Sequence, residues 1–419
     1  MREMKDSGIE WVGKVPATWK IMPNKYIMTK KKVIKEVYDG ENIISLSMNG
    51  VIIRDLEAGG KMPKTFDGYQ IVYPGNLLMC LFDYDVTPRC IGLIKDYGVT
   101  SPAYSQFVMN NGNYSGYYYY YYLMIDHTKA LLHLAKNLRH SLTEEQLGAI
   151  LAPVPTIEEQ QRIVDFLDFK CSKIDATAED IQKEITLLED YKKSLVYNVI
   201  SNGINHSIYS TESDEVWGNL PQGWKLVDIK YLFEIVKRIA GKEGYDVLSV
   251  TQKGLKIKDI TSGDGQLADN YCGYQFVYPT DYVMNHMDLL TGWVDCSELF
   301  GVTSPDYRVF RLIDKSAHNL VYYKYVMQCC YMNKIFYSLG QGVSNLGRWR
   351  LQTSSFNNFK IPVPPKDEQY EIADYLDTKC SEIDSLIADK KRQLDILADY
   401  KKSLIYEYVT GKKEVPVNE

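Results

Sequence analysis

Few residues of this chain stand at spacings that would support catalysis or nucleotide binding. Residues 8–15 (GIEWVGKV) nearly match a phosphate-binding loop. However, Val15 stands where such a loop needs a serine or threonine for magnesium, and Pro16 follows where a helix should begin. Asp83 and Asp85 are close in sequence, yet an acidic pair without the frame of a metal site is more typical of a turn. These patterns predict neither a nucleotide site nor a nuclease centre.

Motifs of the common enzyme chemistries are also missing from the sequence. There is no strand-to-helix Gly-x-Gly-x-x-Gly, no Asn/Asp-Pro-Pro-aromatic motif of an amino-methyltransferase, and no His-Glu-x-x-His. The six histidines are scattered, and none of the eight cysteines forms a Cys-x-x-Cys pair, so we expect free thiols and no metal site. The sequence therefore predicts a binding and scaffolding protein without a catalytic centre or a cofactor of its own.

Two basic loops have the composition of a phosphate-contacting segment. Residues 340–350 (GQGVSNLGRWR) are flexible, polar and basic, and residues 136–141 (KNLRHS) are a shorter counterpart. Backbone amides and guanidinium groups in such loops can follow a nucleic-acid backbone. A solvated surface loop explains the same composition, so both interpretations stay open.

A run of six tyrosines at residues 117–122, echoed by Tyr322, Tyr323 and Tyr325, invites a base-stacking interpretation. Aromatic faces accept unpaired bases. Six consecutive side chains on a helix point in all directions, however, so we expect some of these tyrosines to pack and others to be solvated. Ordinary packing is the favoured interpretation.

These segments must be positioned by a helix that occurs twice. Residues 153–204 and 362–413 align without a gap, and 23 of the 52 pairs are identical. Apolar residues recur at a spacing near 3.5, which indicates a coiled-coil seam. The seam consists of Ile163, Leu167, Ile174, Ile181, Ile185, Leu188, Leu195, Ile372, Leu376, Ile383, Leu394, Leu397 and Leu404. We expect the two helices to pair with each other, although two amphipathic helices buried in separate cores remain an alternative.

The duplication extends into the segments that precede each helix. Residues 10–20 match 215–225, residues 68–74 match 273–279, and Gly98-Val99-Thr100-Ser101-Pro102 recurs unaltered at 301–305. Strand-like alternation around glycine turns indicates mixed α and β globules. The predicted fold class is α+β: a pseudo-twofold tandem repeat in which two globules alternate with two long helices that pair as an antiparallel coiled coil.

The charge distribution limits where an anionic partner can bind. The formal net charge is -6, but the helical segments 151–205 and 361–419 carry -4 each, whereas segments 1–150 and 206–360 carry +2 and 0. A DNA site confined to the two globules is therefore allowed, although charge does not demonstrate it. No signal peptide or membrane span is evident, so we expect a cytoplasmic location.

In these features the chain resembles the specificity subunits of type I restriction-modification systems. The resemblance rests on the globule-helix-globule-helix order and on motif residues 5–11 (KDSGIEW), Pro16, Trp19, 361–365 (IPVPP), Glu368 and Gln369. It implies a target recognition domain at 1–152, a central spacer helix at 153–205, a second target recognition domain at 206–361, a C-terminal spacer helix at 362–413 and a tail at 414–419.

The resemblance further implies a subunit that is not itself a catalyst. Each recognition domain would read one half of a bipartite, asymmetric site in double-stranded DNA. The subunit would recruit two methyltransferase subunits, which use S-adenosylmethionine, and restriction subunits that translocate and cleave DNA with ATP and Mg²⁺. A scaffold without DNA, displaying two globules that bind other ligands, is the alternative.

Sequence-specific reading requires Arg, Lys, Asn and Gln side chains at base edges in the major groove. Our candidates for DNA binding are Asn49, Arg89 and Arg139 in the first globule, and Gln252, Lys253, Arg348 and Arg350 in the second.

Overall fold

A computed structural model describes residues 2–57, 63–135, 140–205, 208–261, 268–342 and 349–416. The chain divides into two compact units. The first unit combines Met1–Ile181 with Arg392–Glu419, and the second consists of Gln182–Lys391. Each unit thus contains one globule and parts of both long helices.

The first half of the chain carries one globule and the first long helix. In chain order its elements are β1 (Met4–Asp6), β2 (Lys14–Pro16), β3 (Lys20–Pro23), α1 (Asn24–Ile27), β4 (Met28–Lys31), β5 (Ile44–Ser47), β6 (Gly50–Ile53), β7 (Gln70–Val72), β8 (Leu77–Met79), β9 (Ile91–Leu93), β10 (Gly98–Thr100), β11 (Ser105–Met109), α2 (Ser115–Thr128), a 3₁₀ turn (Leu132–Leu134), α3 (Glu144–Ala149), β12 (Leu151–Val154) and α4 (Ile157–Asn202).

The second half repeats these elements in the same order. They are β13 (Tyr209–Asp214), β14 (Gly218–Pro221), β15 (Lys225–Asp228), α5 (Ile229–Leu232), β16 (Phe233–Val236), β17 (Leu248–Thr251), β18 (Gly254–Ile257), β19 (Gln275–Val277), β20 (Tyr282–Met284), β21 (Val294–Cys296), β22 (Gly301–Thr303), β23 (Arg308–Leu312), α6 (Leu320–Met332), α7 (Ile335–Ser338), α8 (Thr353–Asn358), β24 (Lys360–Val363) and α9 (Lys366–Val409).

Each globule is built on an antiparallel four-stranded sheet. The strand order is β4-β11-β8-β9 in the first globule and β16-β23-β20-β21 in the second. Smaller antiparallel pairs surround these sheets, among them the hairpins β5–β6 and β17–β18. The strands that immediately precede the long helices pair back into their globules, β12 with β3 and β24 with β15. Each globule is therefore joined to the start of a long helix by a sheet strand.

The tyrosine-rich helix α2 fills the centre of the first globule. Tyr117, Tyr118, Tyr120, Tyr121 and Tyr122 are buried and Tyr119 is half-buried, so the expectation that some of the run is solvated is wrong. The reason is that α2 packs against β9 on one side and contacts residues of both long helices on another, which form one core with it. Five of the six rings are core side chains, and the half-buried Tyr119 packs against the same core.

In the first unit, the start of α4 packs against the end of α9. The ring centroids of Phe166 and Tyr408 are 4.4 Å apart, and Lys401 Nζ lies 2.6 Å from Asp175 Oδ1. Partner numbers fall along α9 as they rise along α4, so the helices run antiparallel.

In the second unit, the end of α4 packs against the start of α9 with the same polarity. Lys192 Nζ lies 2.7 Å from Asp384 Oδ2, and Lys390, the polar break in the seam, pairs with Glu184. The predicted antiparallel pairing is confirmed, and the α+β fold class with it.

The seam residues all lie inward on the paired helices. Burying a leucine or isoleucine side chain contributes roughly 1.5–3 kcal/mol, so the seam is a major source of stability. Ile163, Leu167, Ile181, Ile185, Ile372, Leu376, Ile383 and Leu404 are buried, and Ile174, Leu188, Leu195, Leu394 and Leu397 are half-buried.

Candidate nucleic-acid interface

The hairpins β5–β6 and β17–β18 end in the same tight turn. Ser47 Oγ accepts a hydrogen bond from Asn49 N at 3.1 Å and donates one to Gly50 O at 3.0 Å. In the second turn, Thr251 makes the same two bonds at 3.1 and 2.8 Å. Both turns need glycine after the tip, because φ is +98° at Gly50 and +96° at Gly254. We call the residues between these hydroxyl and glycine positions the hairpin tips.

The hairpin tips carry three of the predicted DNA-binding residues. Asn49 occupies the first tip with Met48, and Gln252 and Lys253 form the second; all are exposed. A two-stranded β-ribbon fits the major groove of B-DNA, where Asn and Gln pair with adenine and Lys with guanine. The fold thus places amide and ammonium groups on two ribbons of equivalent position.

Arg89 holds the first tip from below. Its Nη1 donates to Met48 O at 2.8 Å, its Nη2 donates to Tyr119 Oη at 2.6 Å, and its Nε donates to Ile91 O at 3.1 Å. A direct contact with a base would have to replace these hydrogen bonds. The structure therefore favours a positioning role for Arg89 over the base contact for which we selected it.

Asp295 holds the second hairpin in a different way. Its Oδ2 accepts a hydrogen bond from Leu255 N at 2.9 Å, one residue beyond the tip glycine. The register of the sheets makes Asp295 the counterpart of Gly92, because both are the central residues of β21 and β9. A Cβ atom on Gly92 would lie 2.5 Å from Val51 Cγ2, so glycine there lets the first hairpin pack directly on β9.

A cleft of about 620 Å³ in the first unit lies between this hairpin and the paired helices. Asn49 and Lys95 line it on the globule side, and Ser172 and Lys401 line it on the helix side. Lys95 is exposed, whereas Lys401 is already paired with Asp175. Asp168 and Asp175 also line the helix side, so a phosphate backbone would be met by Lys95 on the globule side rather than by the helices.

The remaining candidates come from the two basic loops. Arg350 is exposed, and its backbone forms a two-bond bridge with Gln341 at 2.9 and 3.1 Å. Arg139 and Arg348 lie outside the described residues. Of the loop candidates, Arg350 is thus the one that lies among the described residues.

Sequence reasoning missed the polar residues that hold each globule on its helix. Trp19 Nε1 donates to Glu159 Oε2 at 2.8 Å, and Trp224 Nε1 donates to Glu368 Oε2 at 3.0 Å. The repeated motifs contain these residues, but nothing in the sequence shows that the tryptophan of one motif binds the glutamate of another. The tryptophan and the glutamate occur at matching positions of both repeats, and this was the signal in the sequence that could have indicated their role.

Two negative findings apply to the part of the chain that the structure describes. His, Cys, Asp and Glu side chains there do not form a cluster of three or more able to hold a metal ion. Among the same residues, no helix has the length and apolar character needed to span a membrane.

Comparison with known proteins finds relatives of one kind. Residues 221–395 match the family model described as type I restriction modification DNA specificity domain. The chain is 25% identical over 287 residues to the type I restriction enzyme MjaVIII specificity subunit of Methanocaldococcus jannaschii, covering 64% of this chain and 63% of that protein. It is also 25% identical over 296 residues to the putative MjaX specificity subunit of the same organism, covering 66% and 62%. The chain thus spans a little under two thirds of the length of these relatives.

Solved structures show the same fold at low sequence identity. A chain from a study of complex assembly and conformational transition of the type I R-M system superposes with a TM-score of 0.69 at 14% identity, covering 96% of this chain and 100% of that one. The HsdS subunit from Thermoanaerobacter tengcongensis superposes with a TM-score of 0.50 at 14% identity, covering 95% and 98%. Together with the duplicated globules and helices, these findings show that the chain is similar, over its second globule by family model and over nearly its whole length in fold, to the specificity subunits of type I restriction-modification systems.

Proposed function

We propose that this chain is a specificity subunit that reads a bipartite, asymmetric site in double-stranded DNA, one half with each globule. The first tip, with Asn49, would enter the major groove of one half-site, and the second tip, with Gln252 and Lys253, that of the other. Arg350 and the basic loops that contain Arg139 and Arg348 would contact the flanking phosphates. Two modules of like fold and different side chains would each read a different sequence.

The observation that carries this proposal is the equivalence of the two tips. The same hydroxyl–glycine turn supports both, at Ser47–Gly50 and Thr251–Gly254, while the exposed residues between them differ. A fixed turn with variable tip residues is what recognition of two unlike sequences by one fold requires.

The chemistry would be supplied by partner subunits. Two methyltransferase subunits would bring S-adenosylmethionine and methylate adenine. Restriction subunits would bring ATP and Mg²⁺ for translocation and cleavage. The complex would act in the cytoplasm, where the chromosome is accessible. This chain would contribute sequence recognition and a scaffold.

Exchange of single globules tests the proposal. Residues 20–140 are replaced by the matching segment of a relative, and in a matched variant residues 225–349 are replaced. Each assembled methyltransferase complex should then modify DNA at a site changed in one half only, and a different half in each variant. Sequencing of methylated adenines reads both outcomes. Methylation by this chain without a partner, or changes in both halves from one exchange, would disprove the proposal.

Single substitutions at the tips sharpen the same test. Asn49→Ala should relax base preference in one half-site, and Gln252→Ala in the other, because each bidentate amide–adenine pair gives about 1–3 kcal/mol of discrimination. Competition between duplexes that differ at one base pair measures the loss. If both variants discriminate like the unmodified complex, the tips do not read bases.

A further inference from the structure

A tyrosine of each globule donates a hydrogen bond to the long helix that follows that globule. Tyr120 Oη lies 2.6 Å from Asp168 Oδ1, and Tyr325 Oη lies 2.7 Å from Asp377 Oδ1. The two tyrosine side chains are buried, and burial together with the aspartate raises the pKa of each well above its usual value. Each hydroxyl therefore stays protonated and remains a donor to the helix.

A second polar contact lies about two and a half turns nearer the start of each helix. The Trp19–Glu159 and Trp224–Glu368 bonds join a buried indole to a carboxylate nine residues before the aspartate. At 1.5 Å per residue, the two attachment points on each helix are about 14 Å apart. Two points so separated resist both sliding along the helix and rotation about it.

A buried glutamine next to each glutamate completes the set. Gln160 Oε1 accepts a hydrogen bond from Tyr114 N at 2.7 Å, and Gln369 Oε1 accepts one from Asn319 N at 2.9 Å. Each glutamine also donates from Nε2 to the carbonyl of a proline before the helix, at 3.1 and 3.0 Å. We call the tyrosine–aspartate, tryptophan–glutamate and glutamine contacts of one unit its polar joint.

The surroundings of each polar joint are apolar and would not fix an angle by themselves. Ile163 and Leu167 pack into the first globule's core, and Ile372 and Leu376 into the second's. Apolar packing is non-directional, whereas hydrogen bonds weaken steeply when their geometry is lost. A buried polar group without its partner costs free energy, so orientations that break the joint are disfavoured.

We propose that the polar joints are positioning groups that set how strictly the complex demands one spacing between its two half-sites. This inference rests on the proposed bipartite reading of DNA. Successive base pairs are 3.4 Å apart along the duplex. A joint that lets a hairpin tip shift by about 3 Å would therefore admit a half-site displaced by one base pair.

The test removes a single hydroxyl from the joint and leaves the ring in place. Tyr120→Phe and Tyr325→Phe are made singly and together, and the assembled methyltransferase complex is assayed on duplexes. These carry the site of the unmodified complex or the same half-sites moved apart or together by one base pair. We expect the ratio of methylation rates between correct and shifted spacing to fall by about tenfold in the double variant, which corresponds to about 1.4 kcal/mol.

Tyr121→Phe is the matched control. Tyr121 is the next residue on the same helix and is equally buried, but its hydroxyl donates to Leu151 O of its own globule at 3.3 Å. Loss of that bond should leave the spacing ratio unchanged. A role in stability alone predicts that Tyr120→Phe and Tyr121→Phe lower methylation on all spacings by similar factors.

If the phenylalanine variants fold poorly, the milder variants Asp168→Asn and Asp377→Asn test the inference in the same assay. An amide oxygen still accepts the tyrosine hydrogen bond, without the strengthening from charge, so the ratio should fall by about threefold. Unchanged spacing ratios in both sets would overturn the inference alone. An unmodified complex that tolerates any spacing, or that needs only one half-site, would overturn the proposed function as well.

Discussion

The two hairpin tips share a turn and differ in the group that holds it. In the first unit the cation Arg89 donates to Met48 O of the tip, and in the second the anion Asp295 accepts from Leu255 N. Gly92 occupies the position of Asp295 in the first unit, so that hairpin packs directly on its sheet. Side chains of opposite charge therefore hold equivalent hairpins in the two units.

In these hairpins the anchoring side chain tolerates more change than the turn does. The turn itself is restricted, because its glycines adopt φ values near +98° and +96° that other residues rarely reach. The anchor is less restricted, since a backbone tip offers both carbonyl oxygens and amide hydrogens to a side chain. Four substitutions, taken in order of expected effect, test how the two repeats differ.

Gly92→Ala should have the largest effect, because its Cβ would meet Val51 Cγ2 at 2.5 Å and Leu46 Cδ1 at 2.9 Å. Overpacking of this kind costs about 2–3 kcal/mol and should push the first hairpin off its sheet. Gly148→Ala is the control, because a Cβ atom there would meet Lys25 Cβ at 3.5 Å, an ordinary van der Waals contact. Urea unfolding measures the stability, and methylated-adenine sequencing should show loss of the first half-site only. Equal destabilisation by both variants would show that the first hairpin does not depend on glycine at position 92.

Arg89→Ala should cost about 2 kcal/mol, since it removes hydrogen bonds from a charged donor to Met48, Ile91 and Tyr119. The first tip then loses its support, and base preference in that half-site should broaden at several positions. If Arg89 instead reads a base, preference should vanish at one position while stability stays the same. Lys95→Ala, an exposed change in the same cleft, is the control.

Asp295→Asn should have a smaller effect of about 1 kcal/mol, because the amide oxygen still accepts from Leu255 N without charge assistance. Any loss of base preference should fall in the second half-site. Thermal unfolding and the duplex competition assay provide the two measurements. A variant that alters the half-site read by the first globule would contradict independent anchoring.

Acid should destabilise the second repeat in part through His286, whose backbone carbonyl accepts from Leu351 N as that of Leu81 accepts from Leu142 N in the first repeat. Burial, with Arg308 and Arg350 nearby, lowers the pKa of His286 to about 4. The unfolded chain therefore binds a proton first as the pH falls from about 6.5, and stability is lost between there and pH 4.

His286→Leu, which copies the first repeat, should remove that part of the acid sensitivity. Solvent screening limits the difference to about 1 kcal/mol, because the side chain is not fully buried. The free energy of unfolding at pH 7 and pH 4.5 gives the measurement. A variant with the same pH dependence as the unmodified chain would show that His286 does not titrate in this range.

The sequence alone determined the repeat and the seam, and it predicted the pairing of the helices that the structure confirms. Periodicity is a local property, so Ile163, Leu167, Ile372 and Leu376 could be assigned to the inner face before their partners were known. Turn chemistry is local too, and it placed Asn49, Gln252 and Lys253 beside glycine turns. Ordinary packing was the favoured interpretation of the tyrosine run, and the expectation of solvated rings within it failed because local periodicity cannot tell a helix surrounded on every side from one at a surface.

Only the tertiary structure decided what the polar side chains bind. Arg89 contacts Met48 across 41 positions of the chain, and Trp19 contacts Glu159 across 140. Such pairs leave no periodic signal, and the two repeats anchor their hairpins with unlike residues, Arg89 and Asp295. Hydrogen bonds depend on distances and angles of a few tenths of an ångström and a few tens of degrees, which the folded chain sets and residue spacing does not.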